Sequence, residues 1–276
     1  MSGVAQIVMA QGNPWNPLAF KTDLSFWLDA QDATTIVISN TVTNTVSQWN
    51  DKSGNGINAT QTTSTRQPIY SATSFVGGLP GITYDGVDDW LRVGTTYMQG
   101  NTTHALYYVV ERVGNGSGVD SYRPWIGTLD ISEGTVDRGG APHFFKTSNS
   151  LGASYPYYNA PNTFSYDLSS GTTYANGQSN ILCFQSNVTG WGVWRNGTLE
   201  GTTNGISNPN TNNIGWVLGR MLNPSRNVNC RIVEVIGVKV TTTLLRQQVE
   251  GYLAWKWRME TNLPATHPYR NARPTF

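Results

Sequence analysis

The sequence predicts an all-β chain, folded as a two-sheet antiparallel sandwich with one C-terminal α-helix packed outside the sheets. Three observations predict it. Runs of β-branched and aromatic residues recur with turn residues every eight to twelve positions or so, the spacing of a sandwich. The chain holds 29 Gly and 13 Pro, and Asn, Thr and Ser stand where charge is usual: charged residues are 13 % of the total, against roughly 25 % in an average protein. One stretch alone, after Thr241, spaces its apolar residues by three and four, as a helix does.

In chain order, residues 1–22 read as an N-terminal arm. Trp15 stands between Pro14 and Pro17, which favour an extended path; the ring suits docking on a neighbour or, equally, on its own domain. Residues 24–32 (LSFWLDAQD) form the first strand, and 46–61 a strand leading into a loop of turn formers, Ser53 to Gly56. Residues 79–93 give a strand, an Asp85–Gly86 turn and another strand. Residues 105–113 (ALYYVVERV) are a central strand, followed by strands at 123–128 and 142–148. The aromatic run 154–166 is broken by Pro156 and Pro161 and reads as a loop or edge. Residues 180–188 are a strand, and 191–201 a hairpin whose Asn196–Gly197 suits a type I′ turn. A strand at 214–220 precedes the closing stretch.

That stretch begins with an alternating strand from Cys230 to Val240. Any of Thr241, Thr242 and Thr243 can cap a helix start. Leu244, Leu245, Val249, Tyr252, Leu253 and Trp257 then fall on one stripe, Trp255 on another side, and Asn262 and Pro264 end the helix. A lone amphipathic helix cannot bury its stripe unaided, so it is expected on a sheet edge or across the end of the sandwich. The tail HPYRNARP lies across the body. With no repeat and no long linker, residues 23–276 are one domain.

The strand I-x-E-V-I-x-V, the helix E-G-Y-L-A-W-K-W and the tail L-P-x-x-H-P-Y resemble the C-terminal signature of concanavalin A-like (laminin G-like) jelly-roll domains. The matching residues are Glu234, Glu250 to Trp257, Leu263, Pro264, His267, Pro268 and Tyr269. Trp49, Asp51, Ser53, Gly54, Gly56 and Ala59 match a W-x-D-x-S-G-x-G-x-x-A segment common in the family, and Y-D-G-x-D-D-W-L from Tyr84 resembles its F-D-G-x-D-D-Y-L. The resemblance covers about 24–93 and 190–270. It implies a jelly roll of the kind found in phage virion and bacterial surface proteins.

Composition excludes some partners. A formal charge of +1 gives no basic field for nucleic acid or an acidic membrane. No run of about 18 apolar residues is present, and residues 1–17 lack the basic and apolar regions of a secretion signal. Glucanases sharing the resembled fold carry E-x-D-x-E on one strand; Asp130, Glu133 and Asp137 come nearest but are wrongly spaced in a loop. A chain without catalysis is expected. No cofactor is expected either, with Asp85, Asp88 and Asp89 the candidates should calcium bind; the other reading is an Asx turn, in which Asp85 caps its own backbone. Cys183 and Cys230 are two buried thiols or one inter-strand disulfide.

Two functions compete, with a glycoside hydrolase a distant third. One is a non-enzymatic virion-surface structural protein, a capsid decoration or tail/fibre component, anchored to capsid or tail proteins through Pro14, Trp15 and Pro17 and assembled as a homo-oligomer, a trimer by analogy. The alternative is a carbohydrate-binding adhesin of a phage or of an extracellular bacterial surface. Its glycan site would be Tyr155, Tyr157, Tyr158, Asn159 and Tyr166, with Asn162 nearby, where rings stack on sugars and amides read hydroxyls.

Overall fold

The computed structural model describes residues 14–94, 103–117, 122–130, 141–146, 150–154, 168–187, 189–204, 214–220 and 226–275. In chain order the strands are β1 (Leu24–Asp29), β2 (Ile36–Asn40), β3 (Thr45–Trp49), β4 (Ala59–Thr60), β5 (Ile69–Phe75), β6 (Leu79–Asp85), β7 (Leu91–Val93), β8 (His104–Arg112) and β9 (Tyr122–Asp130). They continue with β10 (Ala141–Lys146), β11 (Ser150–Ser154), β12 (Leu168–Thr173), β13 (Ser179–Asn187), β14 (Gly190–Arg195), β15 (Thr198–Asn204), β16 (Ile214–Leu218) and β17 (Asn229–Val238). One helix, α1 (Thr243–Lys256), follows.

Strand β17 is the axis of the pairing. It runs antiparallel to β8 along its length, to β6 at its start and to β1 at its end. From β8 the ladder continues through β13, β14 and β15. A second row runs from β2 through β3, β4, β7, β16 and β9 to β10, β11 and β12. The two rows are not separate sheets, as the sequence led us to expect. Strand β5 pairs with β6 and also touches β3 at Thr45↔Ile69, so hydrogen bonds connect all seventeen strands into one antiparallel sheet that curls over itself.

Inside the curl, Phe26, Leu28, Leu106, Tyr108, Val110, Leu182 and Phe184 meet Trp49, Leu91, Val93, Trp125 and Trp216 from the opposing row. Successive residues of a strand point to opposite faces. The alternate residues of the same strands, Ala105, Tyr107, Val109, Ile181, Cys183, Val233, Ile236 and Val238, therefore form the outer face. There they pack under Leu245, Val249, Leu253, Ala254 and Trp257 of α1. This is why β8 and β17 read as near-continuous hydrophobic runs: both faces are covered. It also resolves the cysteines. Cys230 faces the inner core and Cys183 the outer, and both are buried free thiols.

Other details differ from expectation. The helix lies on the sheet's outer face, not on an edge or an end. It closes at Lys256, because Arg258 takes a left-handed backbone (φ 59°) and turns the chain. Leu244, placed on the apolar stripe, is exposed. Strands β2, β4, β5, β11 and β12 were not expected. In β2 and β5 the reason is visible: most of their residues are exposed or half-buried, so little hydrophobic alternation marks them.

Candidate carbohydrate-binding groove

On the outer face beside the start of α1 lies a shallow groove of about 180 Å³. Gln185 and Asn187 of β13, Thr189 in the turn, Gly192 and Trp194 of β14, Thr202 of β15 and Thr241 before the helix line it. Gln185 and Asn187 follow Ile181 and Cys183 at every second position, so they share the outer face. The Trp194 indole lies over Gly192: a Cβ there would come within 2.6 Å of Trp194 Cη2, so glycine is what lets the ring pack there. Asn187 Oδ1 accepts from Thr189 N (2.9 Å), Thr189 Oγ1 (2.7 Å) and Gly190 N (3.2 Å), fixing the turn and leaving the Nδ2 donors. Gln185 Nε2 donates to Tyr107 Oη (3.0 Å), leaving Oε1 as acceptor. Among the described residues the lining holds the half-buried Trp194, the buried Trp191, amides and hydroxyls, and no charged side chain.

The helix holds the ring in place. Arg246 of α1 places its guanidinium 4.9 Å from the Trp194 ring centroid. Arg246 Nη1 donates to both oxygens of buried Glu250 at 2.9 and 2.8 Å, and His267 Nε2 lies 3.1 Å from Glu250 Oε2. The His267 ring in turn packs over Gly197, whose φ of +77° and close approach suit glycine in the Asn196–Gly197 turn. Gly251 lets the tail come close: a Cβ there would lie 2.4 Å from Tyr269 Cβ. The hairpin turn, the helix and the tail, three pieces of the sequence signature, thus meet in one clamp.

A second polar cluster lies beneath the other end of the helix. Glu234 of β17 is fully buried; its Oε1 accepts from Trp27 Nε1 (2.7 Å) and Tyr252 Oη (2.9 Å), and its Oε2 from Trp257 Nε1 (2.6 Å). Lys256 Nζ bridges Glu234 Oε2 (2.8 Å) and its cross-strand partner Asp29 Oδ1 (2.6 Å), while Lys52 joins Asp29 (2.8 Å) to Asp32 (3.0 Å). Burial pushes the Glu234 carboxyl above the usual range, although the Lys256 ammonium opposes this. The two carboxylates are close, but the protein's own donors fill them and a substrate has no access to Glu234. Their arrangement docks the helix.

The residues singled out in the sequence fall in different places. Tyr155, Tyr157, Tyr158, Asn159, Asn162 and Tyr166 lie outside the described residues. Pro14 is exposed, whereas Pro17 and Trp15 are buried on their own domain; Trp15 stacks on Phe20 (5.3 Å) and meets Tyr252 edge-on (5.8 Å). Asp85, Asp88 and Asp89 do gather their oxygens within 4.8 Å. Asp85 Oδ1 already accepts from the backbone N–H groups of Val87, Asp88 and Asp89, and Asp89 Oδ2 from that of Asp85, so the turn is closed on itself. Asp51 likewise accepts from Trp27, Ser53 and Ile57 N–H groups. The groove residues were missed by sequence reasoning. One signal was available: Trp191 and Trp194, three apart on one strand, must face opposite sides. Trp191 joins the inner core, leaving Trp194 outside.

No protein-family model and no curated protein matches the chain. Solved structures do. Trypanosoma rangeli sialidase in complex with sialic acid superposes with a TM-score of 0.58 at 11 % identity, covering 90 % of this chain and 36 % of that one. Domain 4 of AbnA, a GH43 extracellular arabinanase from Geobacillus stearothermophilus, in complex with arabinotriose, gives 0.50 at 14 % identity, covering 78 % and 92 %. The binding domain of Paraclostridial Mosquitocidal Protein 1 gives 0.51 at 13 %, covering 86 % and 52 %. At such identities the likeness establishes the fold, and this chain spans about a third of the sialidase's length. One expectation is corrected here. A missing E-x-D-x-E strand was read as a chain without catalysis, yet the fold occurs within the chains of a sialidase and an arabinanase. The absence of one strand motif therefore does not exclude an enzyme.

Proposed function

We propose that this domain is a carbohydrate-binding module and that the Trp194 groove is its binding surface. The observation that carries the reading is the half-buried indole over Gly192, set beside the amide and hydroxyl groups of the groove. Such a surface matches a neutral sugar, whose apolar C–H face stacks on a ring while its hydroxyls exchange hydrogen bonds with neutral groups. The likeness to the arabinanase domain in complex with arabinotriose supports the reading and favours it over the virion-surface subunit. The burial of Trp15 on its own domain points the same way, because that ring was the proposed anchor. The curled sheet with its two cores is read as a concanavalin A-like jelly roll, a type that the sequence motifs support.

The test is titration of the purified chain with neutral oligosaccharides, arabinotriose among them, following tryptophan fluorescence and heat. Trp194→Ala removes the stacking surface and should weaken binding at least about tenfold, a loss of about 1.4 kcal/mol, with far-UV circular dichroism unchanged. Saturable binding that survives this substitution, or no binding across the panel, would overturn the assignment.

A further inference from the structure

At the opposite end of the helix lies a larger pocket, about 370 Å³. Tyr252, Trp255 and Lys256 of α1, Arg258 just beyond it, and Gln31 after β1 form one side. The paired chain segments form the other: Trp15 N donates to the Pro274 carbonyl (3.1 Å), and Pro14 bridges to Thr275. The Lys256 ammonium is committed to the floor, to Asp29, Glu234 and Tyr252 Oη (3.1 Å), and offers the pocket only its stem. Arg258 and Arg273 are different. Both are exposed and, among the described residues, neither forms an ion pair and no carboxylate lines the pocket. Arg273 sets its guanidinium 5.4 Å from the Trp255 ring centroid, and Arg258 uses one donor on the Gly77 carbonyl (3.2 Å). Arg258 also sits at φ 59°, past the helix end, a place where glycine is the favoured residue. An arginine kept in that backbone is the kind of local outlier that accompanies function.

We propose that this pocket binds a sugar acid, a single sugar ring bearing a carboxylate. Two guanidiniums with no counter-anion among the described residues suit a carboxylate, which a guanidinium fork takes with paired hydrogen bonds. Trp255 and Tyr252 supply ring surface for the apolar face of the sugar. The volume lies at the low end for ligand pockets, the size of a small ligand. The site is separate from the Trp194 groove and does not depend on it.

The experiment is calorimetric titration of the full chain with glucuronate, glucose, acetate and sulfate. Glucuronate should bind at least tenfold more tightly than the other three, and severalfold more weakly when salt rises from 0.05 to 0.5 M. Arg273→Gln and Arg258→Gly should each weaken glucuronate at least fivefold, and Trp194→Ala should leave it unchanged. Arg258→Gly relieves the left-handed backbone, so its loss of binding would come with an equal or higher melting temperature, not with unfolding. Glucose bound as tightly as glucuronate would overturn the proposal, as would acetate or sulfate bound as tightly. So would glucuronate binding that survives both arginine substitutions, or its absence from the intact chain.

Discussion

Replacing Glu234 with leucine tests how the helix is held to the sheet. The substitution keeps an apolar volume but removes the acceptor for Trp27 Nε1, Tyr252 Oη and Trp257 Nε1, and one partner of Lys256. Each orphaned buried donor costs about 1–3 kcal/mol. Breaking a buried ion pair by removing one partner costs about 3–5 kcal/mol. These terms overlap, because Lys256 keeps Asp29 and Tyr252 Oη as acceptors and is not left unpaired, so the expected loss is about 5 kcal/mol. Against a total of about 5–15 kcal/mol that loss is large, and at about 2–4 °C per kcal/mol it lowers the melting temperature by about 10–20 °C. Urea unfolding followed by tryptophan fluorescence measures it directly, and the Lys256→Met and double variants complete the cycle. The double variant should lose less than the sum of the singles, since removing both charges leaves no unpaired ion beside Trp257. A Glu234→Leu chain within about 1 kcal/mol of the parent would refute the reasoning.

Further outcomes follow from single residues. His104 is fully buried, and burial lowers its pKa to about 4 from an ordinary 6.5. Stability held by the neutral ring is complete above pH 6.5 and is lost as pH falls through about 4, so a His104→Phe chain should show a flatter melting-temperature profile across that window. Asp89 works in the other direction: burial raises its carboxyl to about 7. Its contribution is complete below about pH 4 and is lost as pH rises through 7, and Asp89→Asn should remove that part of the profile. Gly192→Val should tilt Trp194 off the strand, visible as a shifted tryptophan emission and a loss of neutral-sugar binding, while the hairpin still folds. Arg258→Gly should raise stability by about 1 kcal/mol in urea, because a side chain in the left-handed region carries that penalty.

Much of the architecture was legible in the sequence because it is written in local periodicity. The runs at 105–113, 180–188 and 230–240 contain β8, β13 and β17 to within about two residues, since hydrophobic runs of that length leave few alternatives. The Asn196–Gly197 turn takes positive φ at both residues, as the dipeptide required. The helix start was equally local: Thr242 Oγ1 accepts from Leu245 N at 3.2 Å. Its end was not local. It comes at the left-handed backbone of Arg258, an arginine where glycine is the usual signal, and the Arg258 side chain there reaches the carbonyl of Gly77, far away in the chain. Strands β2 and β5 escaped because most of their residues are exposed or half-buried, so no buried face imposes an alternation.

The sequence by itself determined the all-β class, the single C-terminal helix and the hairpin, because turn chemistry and side-chain period act over a few residues. Only the tertiary structure decided which tryptophans are core and which is a platform, and which carboxylates are closed by the protein's own donors. It also decided that the rows of strands join into one curled sheet. Trp194 meets Arg246 across fifty-two residues of chain, and Trp27 meets Glu234 across 207. Contacts at that separation follow from how strands register and how a helix docks, not from any spacing along the chain. The groove and the arginine pocket come into being only when the strands, the helix and the two chain ends are packed together.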